Sequence, residues 1–494
     1  MKKNTQEKII EDYGSVIIKA GAGRGKTTLL GKKINHDYKK NNDHRVFAAI
    51  TFTNKAVEEI KNKVRGNDGI ILTIDSFIMQ EIVSPFIHHL YGDDYKKLHL
   101  ERDFTLKDRD FITLLDKIKT TSKVGTYYTT QKDFISELAL NILENSFVAQ
   151  RYFKAKYYKL YIDEYQDLSK EQHNLFKYIN DSLKINLFIL GDPKQNIYSW
   201  RGASSDGFNS LYNYSLNFTK YELEENYRCH KNIQKFLEIF EKNDTGNLDF
   251  NYNNNVKFIS TESELEKFLI ENETKEICIL TKTRDHAKQI SESYAGFIYI
   301  PHDEISTYSS SYKWFTKEVL HFILSEKSNV FNLINTIPFE VSNEIAKKLK
   351  IELNKMMTEK NYSFEIIQKI FKIIFTEITT EDLKKEFKMI EKIIKDKSVH
   401  IIYNMHKAKN LVMTMHSSKG MEFEVVIVFA ETLFKYTTLD DNLNYVSMSR
   451  GKEKLGIIYS DTDGQYINSV CSRLTTSQQI NFKKNIMSVK TCLW

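Results

Sequence analysis

The sequence predicts an α/β protein built on parallel sheets. Short apolar runs that are typical of buried strands recur along the chain, and each is followed by a polar or helical stretch. Strands that alternate with helices favour parallel sheets joined by crossover helices. The clearest runs are residues 16–18, 46–50, 160–162, 187–190, 277–280 and 425–429. The length of 494 residues favours several domains, since one domain typically holds about 100–200 residues.

The first apolar run leads into a glycine-rich turn that reads Ala-Gly-Ala-Gly-Arg-Gly-Lys-Thr-Thr. A strand, such a turn and a Lys-Thr pair form the arrangement of a phosphate-binding loop. The glycines let backbone N–H groups approach phosphate oxygens, Lys26 supplies positive charge, and Thr27 is placed to ligate Mg²⁺. A glycine-rich turn without a ligand is the alternative, and the general pattern has glycine in place of Ala20. The candidate nucleotide-binding residues here are Ala20, Gly21, Ala22, Gly23, Arg24, Gly25, Lys26, Thr27 and Thr28.

Two adjacent carboxylates follow the run at 160–162. Asp163 and Glu164 stand at the expected end of this strand. In an NTPase with a phosphate-binding loop, such a pair holds Mg²⁺ and activates water. We expect Asp163 to reach the metal, directly or through water, and Glu164 to orient the attacking water. An acidic turn after a strand is the alternative.

A further polar segment follows the run at 187–190. Gln195 comes soon after this strand end, where it can sense the γ-phosphate. Tyr198 and Trp200 stand beside Arg201 in a loop bounded by glycine. Loop aromatics near a cation suit base stacking, which contributes roughly 1–3 kcal/mol per base. Core packing is the alternative for both aromatic residues.

Several other segments complete an ordered series. They are residues 49–56 (Ala-Ile-Thr-Phe-Thr-Asn-Lys-Ala), 73–77 (Thr-Ile-Asp-Ser-Phe), 224–228 (Glu-Glu-Asn-Tyr-Arg), 413–423 (Met-Thr-Met-His-Ser-Ser-Lys-Gly-Met-Glu-Phe) and 445–451 (Tyr-Val-Ser-Met-Ser-Arg-Gly). Together with the three segments above, they resemble in order the motifs of superfamily-one DNA helicases of the UvrD/Rep/PcrA class. A series of this length is highly specific.

The resemblance implies two RecA-like, doubly wound parallel-sheet motor domains, each with a mainly helical insertion. It implies ATP and Mg²⁺ as cofactors and DNA as a partner, with translocation from 3′ to 5′. It also implies that Gln6 reads adenine, Tyr227 stacks on it, and Glu422 links DNA contact to the nucleotide. The implied catalytic residues are Glu164, Gln195, Arg228 and the arginine finger Arg450. The implied DNA contacts are Thr51, Phe52, Asn54, Tyr198, Trp200, Arg201 and His416.

Domain boundaries follow from the insertions between motifs. The first motor domain is expected to comprise residues 1–78 and 157–220, with residues 79–156 as its helical insertion. The second is expected to comprise residues 221–310 and 401–494, and its insertion at 311–400 is reduced. Within that insertion, apolar residues recur at helical spacing behind Thr380, a candidate N-cap. These residues are Leu383, Phe387, Ile390 and Ile394.

The chain departs from the family pattern in three places. Thr28 stands where the family usually has arginine against adenine, so nucleotide selectivity is expected to be looser. Asp75 replaces a usual histidine, which puts one DNA contact in doubt. The reduced second insertion shows no counterpart of the usual duplex-contacting motif. Translocation is therefore a firmer expectation than strand separation.

Composition is compatible with these expectations. A net charge of +6 is only mildly basic, which permits nucleic acid binding without demonstrating it. The four cysteines lie far apart, without metal-ligand spacing, as expected of reduced thiols. No apolar run approaches the ~18 residues needed to span a bilayer, and Met1-Lys2-Lys3 leads into no apolar signal-peptide core. A soluble, cytoplasmic protein is expected.

Three functions remain open at this stage. The compact length and motif wording resemble the helicase subunits of Gabija anti-phage systems, which act with a separate ATPase-like Toprim nuclease subunit (GajA). No nuclease constellation is visible outside the motor motifs, so any nuclease would be on another chain. A stand-alone UvrD-like repair helicase is the first alternative. The second is a switch or scaffold subunit that binds ATP and does little work on DNA.

Overall fold

The computed structural model describes residues 4–65, 69–95, 98–100, 111–124, 133–197, 204–241, 255–301, 303–308, 310, 312–335, 337, 341–435, 438–459 and 465–487. These residues form two compact units. The first unit lies within Met1–His99, Phe104–Thr283 and Thr414–Trp494, and the second within Leu100–Asp103 and Arg284–Met413. The units do not divide the chain at the expected domain boundaries, which stay a prediction.

The strands are short, and many carry the β-branched and aromatic residues that suit a pleated, buried surface. They are β1 Val16–Ala20, β2 Val46–Thr51, β3 Ile70–Thr73, β4 His99–Leu100, β5 Lys123–Val124, β6 Tyr157–Ile162, β7 Asn186–Gly191, β8 Thr219–Leu223, β9 Val256–Ile259, β10 Ile277–Thr281, β11 Phe297–Tyr299, β12 Asn410–Thr414, β13 Phe423–Phe429, β14 Phe434–Lys435, β15 Thr438–Leu439 and β16 Gly451–Ile458. Every apolar run singled out in the sequence lies in one of these strands.

Helices connect the strands and build the insertions. They are α1 Thr5–Glu11, α2 Lys26–Lys40, α3 Asn54–Lys61, α4 Ile74–Phe77, α5 Ser84–Tyr91, α6 Phe111–Thr121, α7 Phe134–Asn145, α8 Phe147–Lys156, α9 Lys170–Asp181, α10 Asp206–Tyr214, α11 Lys231–Glu241, α12 Glu262–Glu271, α13 Arg284–Ser293, α14 Glu304–Thr307, α15 Lys313–Leu324, α16 Val330–Asn335, α17 Asn343–Glu359, α18 Phe364–Ile374, α19 Thr380–Lys395, α20 Asp441–Met448, α21 Gln465–Cys471 and α22 Thr476–Met487. A π-helix spans Ile78–Val83, and 3₁₀ turns span Asp93–Tyr95, Tyr165–Asp167, Pro193–Gln195, Lys397–Tyr403, Met405–Lys407 and Ala430–Leu433.

The first sheet has the strand order β3-β2-β6-β7-β1-β8, and the pairs along it are parallel. Parallel neighbours need crossover connections, and the helices between these strands supply them. Leu29, Leu30 and Ile34 of α2 are buried in one apolar cluster with Val16 and Ile18 of β1. Each such buried side chain contributes roughly 1.5–3 kcal/mol of hydrophobic stabilisation. The strand that leads into the glycine-rich turn is therefore held inside the sheet.

A second parallel sheet lies in the same unit. Its strands β10, β13, β16 and β9 pair in that order, all in parallel. Gly456 of β16 faces Phe268 of α12, where a β-carbon would lie 3.1 Å from the ring. The presence of two parallel sheets connected by helices confirms the predicted α/β fold class.

The second unit is mainly helical, as expected for the 311–400 region. Apolar residues of α15, α17, α18 and α19 form its core, and β11 pairs with β12 in parallel. The predicted N-cap at Thr380 is wrong by one residue. Thr379 has the extended backbone (φ −72°, ψ 157°) and its side chain accepts from the Asp382 N–H, while Thr380 is already helical. None of the described helices is long and apolar enough to cross a membrane.

Candidate nucleotide-binding and motor site

The predicted nucleotide-binding residues follow the carboxyl ends of three strands of the first sheet, at one edge of that sheet. Strand β1 ends at Ala20, β6 at Ile162 and β7 at Gly191. Because these strands are parallel, the glycine-rich turn, the acidic pair and the Gln195 segment all emerge on the same side. This edge is where open α/β sheets bind ligands.

The glycine-rich turn has the backbone that a phosphate-binding loop requires. Gly23 and Gly25 have φ values of +70° and +76°, which glycine adopts at little cost. Gly25 is the N-cap of α2 and supplies no side chain there, so the first-turn N–H groups are open to an anion. Lys26 begins the helix, and its Nζ donates to the Ala20 carbonyl at 3.1 Å. The loop therefore fits a bound phosphate chain.

The acidic pair lies behind this loop. Asp163 is 4% exposed, and burial, then the charge of Glu164, raises its pKa. Burial also acts to raise the pKa of Glu164, but Lys26, Lys419 and other donors outweigh it and lower that pKa. Gln166 Nε2 donates to Glu164 Oε2 at 2.6 Å. Glu164 is thus held as an ionised carboxylate that can accept a hydrogen bond from water, beside a buried carboxylate suited to a cation.

The backbone of Glu164 is strained. Its φ of +53° and ψ of +40° lie in the left-handed region, which costs a non-glycine residue on the order of 1 kcal/mol or more. This conformation turns the chain sharply between β6 and the 3₁₀ turn Tyr165–Asp167. The Glu164 N–H donates back to Asp163 Oδ1 at 2.9 Å. Strain of this kind is often found at functional sites.

Arg450 reaches the same site from the end of α20. Its side chain is buried, and its Nη2 donates to Gln195 Oε1 at 3.3 Å. Its Nε donates to the Val446 carbonyl at 2.9 Å, and its Nη1 to the Met421 carbonyl at 3.3 Å. Burial, then the charge of Arg228, lowers the pKa of Arg450 to about 10, so it stays cationic at neutral pH. The structure thus brings together the predicted Gln195 and Arg450.

The segment after β8 carries the other predicted nucleotide contacts. Arg228 Nε donates to Glu422 Oε2 at 2.9 Å, so these two residues are joined directly. Tyr227 is 64% exposed and its hydroxyl donates to Glu225. Thr28 is exposed at the opening of α2. The Tyr227 N–H donates to the Gly23 carbonyl at 2.9 Å, so this exposed ring lies beside the loop, where it can stack on a planar base.

The predicted adenine-reading residue lies in α1. Gln6 is half-buried in the first turn, and the helix begins with a capping box in which Asn4 and Glu7 exchange hydrogen bonds. At the other end of α1, the fully buried Lys33 of α2 donates to the carbonyls of Ile10 and Asp12 at 2.9 and 2.7 Å. This contact fixes α1 against the helix that follows the phosphate loop.

Comparisons with known proteins place this geometry in a family. A protein-family model for an AAA domain matches residues 6–201, and a model for the UvrD-like helicase C-terminal domain matches residues 409–458. The Gabija protein GajB of Bacillus cereus (strain VD045) is 34% identical over 493 residues, covering 95% of this chain and 98% of that protein. The chain belongs to the GajB family.

More distant helicases match as well. The ATP-dependent DNA helicase Rep of Buchnera aphidicola subsp. Schizaphis graminum is 25% identical, over 92% of each chain. The ATP-dependent DNA helicase PcrA of Staphylococcus epidermidis (strain RP62A) is 27% identical, over 47% of this chain and 38% of its own. These matches confirm the predicted resemblance to UvrD-like helicases.

The predicted DNA contacts of this GajB-family chain are placed less uniformly. Thr51 is 1% exposed and ends β2, whereas Phe52 and His416 are half-buried. Asn54 begins α3, and Asp75 lies half-buried in α4. The aromatic loop with Tyr198, Trp200 and Arg201 lies outside the described residues. Contact with DNA by these residues stays a prediction.

Sequence reasoning missed a buried ion pair in this GajB-family site. Lys419 Nζ pairs with Asp167 Oδ2 and donates to the Gln195 carbonyl at 2.9 Å. Burial raises the pKa of Asp167, and Lys419 opposes that rise. Lys419 lies in the 413–423 segment and Asp167 follows shortly after the acidic pair, but their separation of 252 positions gave no sign that they pair. The contact joins the turn after β6 to the loop after β12.

Proposed function

We propose that the chain is an ATP-dependent DNA translocase and helicase in which one ATP is held between two sets of motif residues. The observation that carries the proposal is the contact of Arg450 with Gln195 beside the phosphate-type loop. Residues 255 positions apart meet at the sheet edge where the loop and Glu164 also lie. A cationic arginine and an ionised carboxylate beside a phosphate-type loop suit hydrolysis of a nucleoside triphosphate.

Each side chain then has a distinct task. Lys26 and the first-turn N–H groups of α2 bind the β- and γ-phosphates, and Arg228 and Arg450 balance the charge that develops on transfer. Glu164, held ionised, orients water for in-line attack. Thr27 and Asp163 are the residues that would hold Mg²⁺, which would supply positive charge to offset that of the phosphates. Together these groups form a phosphoryl-transfer site.

The work on DNA is proposed to be translocation from 3′ to 5′, with the two motor halves closing and opening around each ATP. The domain boundaries set out from the sequence are part of this proposal. Support comes from the family relationship and from the positions of Phe52 and His416, which follow strands β2 and β12.

Streptavidin displacement tests the direction of movement. The purified chain, ATP and Mg²⁺ are added to single strands that carry biotin at either the 5′ or the 3′ end. A motor moving from 3′ to 5′ displaces streptavidin faster from the 5′ end and requires ATP to do so. Displacement from neither end, or faster displacement from the 3′ end, would contradict the proposal.

The biological role proposed is that of the helicase subunit in a Gabija defence system, in the cytoplasm, with a GajA-type Toprim nuclease as partner. The relationship to GajB over 95% of the chain supports it. Co-purification of the chain with the Toprim protein of its own operon is the test. An active motor that fails to bind that protein would favour the stand-alone repair helicase.

A further inference from the structure

One residue of the phosphate-type loop, Ala22, is hydrogen-bonded through both its N–H and its C=O, which belong to two successive peptides. The N–H of Ala22 donates to the Tyr445 hydroxyl at 2.9 Å. The C=O of Ala22 accepts from Asn226 Nδ2 at 3.0 Å. Tyr445 lies in α20 and Asn226 in the segment after β8, so two distant parts of the chain are hydrogen-bonded to one residue of the loop.

The loop is shaped to admit these two side chains. A β-carbon on Gly21 would lie 2.6 Å from the Tyr445 hydroxyl, and one on Gly23 would lie 2.5 Å from Asn226 Oδ1. Real β-carbons essentially never approach so closely. Tyr445 is 2% exposed, so its hydroxyl is committed to this buried position. Glycine on both sides of Ala22 is therefore needed to make room for these two side chains as well as for the backbone conformation.

Asn226 contacts one predicted phosphate-reaching arginine directly, and Tyr445 is linked to the other through its neighbour Val446. Asn226 Oδ1 accepts from the Arg228 N–H at 2.9 Å, so the side-chain amide that holds the loop also fixes the backbone of Arg228. Tyr445 is followed by Val446, whose carbonyl accepts from Arg450 Nε at 2.9 Å. A shift of the loop would therefore be felt at both arginines.

The orientation of the two peptides that meet at Ala22 matters for anion binding. A phosphate loop attracts its ligand with backbone N–H groups, and a carbonyl turned towards phosphate would repel it. The flanking glycines make both peptides easy to rotate, because glycine occupies both signs of φ readily. The hydrogen bond from the Ala22 N–H fixes the first peptide, and the bond to the Ala22 C=O fixes the second.

We propose that Tyr445 and Asn226 are positioning residues that clamp Ala22 through the peptides on its two sides and thereby set Arg450 and Arg228 relative to the phosphates. We call this pair of contacts the Ala22 clamp. The inference rests on the proposed ATPase function and adds two residues to it. Its consequence is that the clamp acts on turnover through the arginines.

Tyr445→Phe removes the hydroxyl and keeps the ring. We expect kcat for ATP hydrolysis to fall about tenfold, as for the loss of one buried hydrogen bond, while KM for ATP changes less than about twofold. In an Arg450→Lys background, the same change should lower kcat less than about twofold, because coupled residues are non-additive. Additive effects in this double-mutant cycle would overturn the proposal.

A second variant tests the other half of the clamp. Asn226→Asp keeps the oxygen that accepts from the Arg228 and Cys229 N–H groups but loses the donor to Ala22. It should also lower kcat, and its combination with Tyr445→Phe should be less than additive. A kcat equal to that of the wild type would refute the role of Asn226.

The matched control is Tyr466→Phe. Tyr466 is 4% exposed, and its hydroxyl contacts Asn444 Oδ1 of the same helix α20 at 3.2 Å, away from the loop. Its kcat should stay within about twofold of the wild type. An equal loss in this variant would mean that helix stability, and not the clamp, sets turnover. If the wild-type chain itself hydrolyses no ATP, the proposed function fails before the clamp is tested.

Discussion

Arg450→Lys separates charge from geometry at the proposed arginine finger. The three guanidinium nitrogens donate to four acceptors, the carbonyls of Val446 and Met421 and the side chains of Ser449 and Gln195. A lysine keeps one positive charge but offers its donors from a single atom. It cannot reach these groups together, so the cation is no longer held against Gln195.

The magnitude follows from the role. Arginine fingers contribute on the order of 10³–10⁵ in rate, and lysine retains the charge but not the fork, so we expect kcat to fall about 10²–10³-fold. Each buried carbonyl left without its donor costs roughly 1–3 kcal/mol, so the variant should also unfold at lower urea concentration. ATP binding should change little, because Lys26 and the loop are intact.

The assay measures kcat by coupled ATP hydrolysis and Kd with a fluorescent ATP analogue, each at a temperature where the variant is folded. Arg473→Lys is the matched control. Arg473 is a partly exposed arginine that pairs with Asp441 at the start of the same helix, and its replacement should leave kcat nearly unchanged. Wild-type turnover in Arg450→Lys would refute the finger assignment, and loss of nucleotide binding would assign Arg450 to binding instead.

Three further perturbations have defined outcomes. Lys419→Met should lower the free energy of unfolding by about 3–5 kcal/mol, because it leaves its buried carboxylate partner unpaired; an unchanged urea midpoint would contradict this. Gly23→Ala should weaken binding of a fluorescent ATP analogue at least about tenfold, since the new β-carbon would lie 2.5 Å from Arg228 Cβ in closely packed surroundings. Gly296→Ala is the control and should bind the analogue normally, because Gly296 also has a positive φ of +88° but faces open space. Burial, then a neighbouring carboxylate, raises the pKa of Asp133 from 3.8 to about 7, so its contribution to stability is lost as pH rises from about 4 to about 7. Between about pH 5 and about pH 7.5, the melting temperature of Asp133→Asn should therefore fall less than that of the wild type. Equal falls in the two proteins would refute this role of Asp133.

The sequence predicted most of what is local. The strand runs, the turn at residues 20–28 and the acidic pair are each contained in a few consecutive residues. The parallel sheet brings the turn and the acidic pair to one edge. The N-cap of α19 was displaced by one because Thr379 and Thr380 are adjacent and equivalent in type. Only the backbone angles distinguish them.

Contacts between distant segments could not be predicted in the same way. The hydrogen bond from the Ala22 N–H to the Tyr445 hydroxyl spans 423 positions. In the sequence, Ala22 is explained as a loop residue and Tyr445 as a helix core residue, so neither indicates the other as a partner. The ion pair of Lys419 with Asp167 is equally non-local. The left-handed backbone at Glu164 was also unexpected, since no glycine or asparagine marks it.

ATP hydrolysis by the purified chain, with and without single-stranded DNA and DNA ends, tests the proposed motor most directly. We expect a rate that rises strongly with DNA and is abolished by Lys26→Ala. A slow rate that is indifferent to DNA would contradict a DNA-driven motor and would favour the nucleotide switch or scaffold.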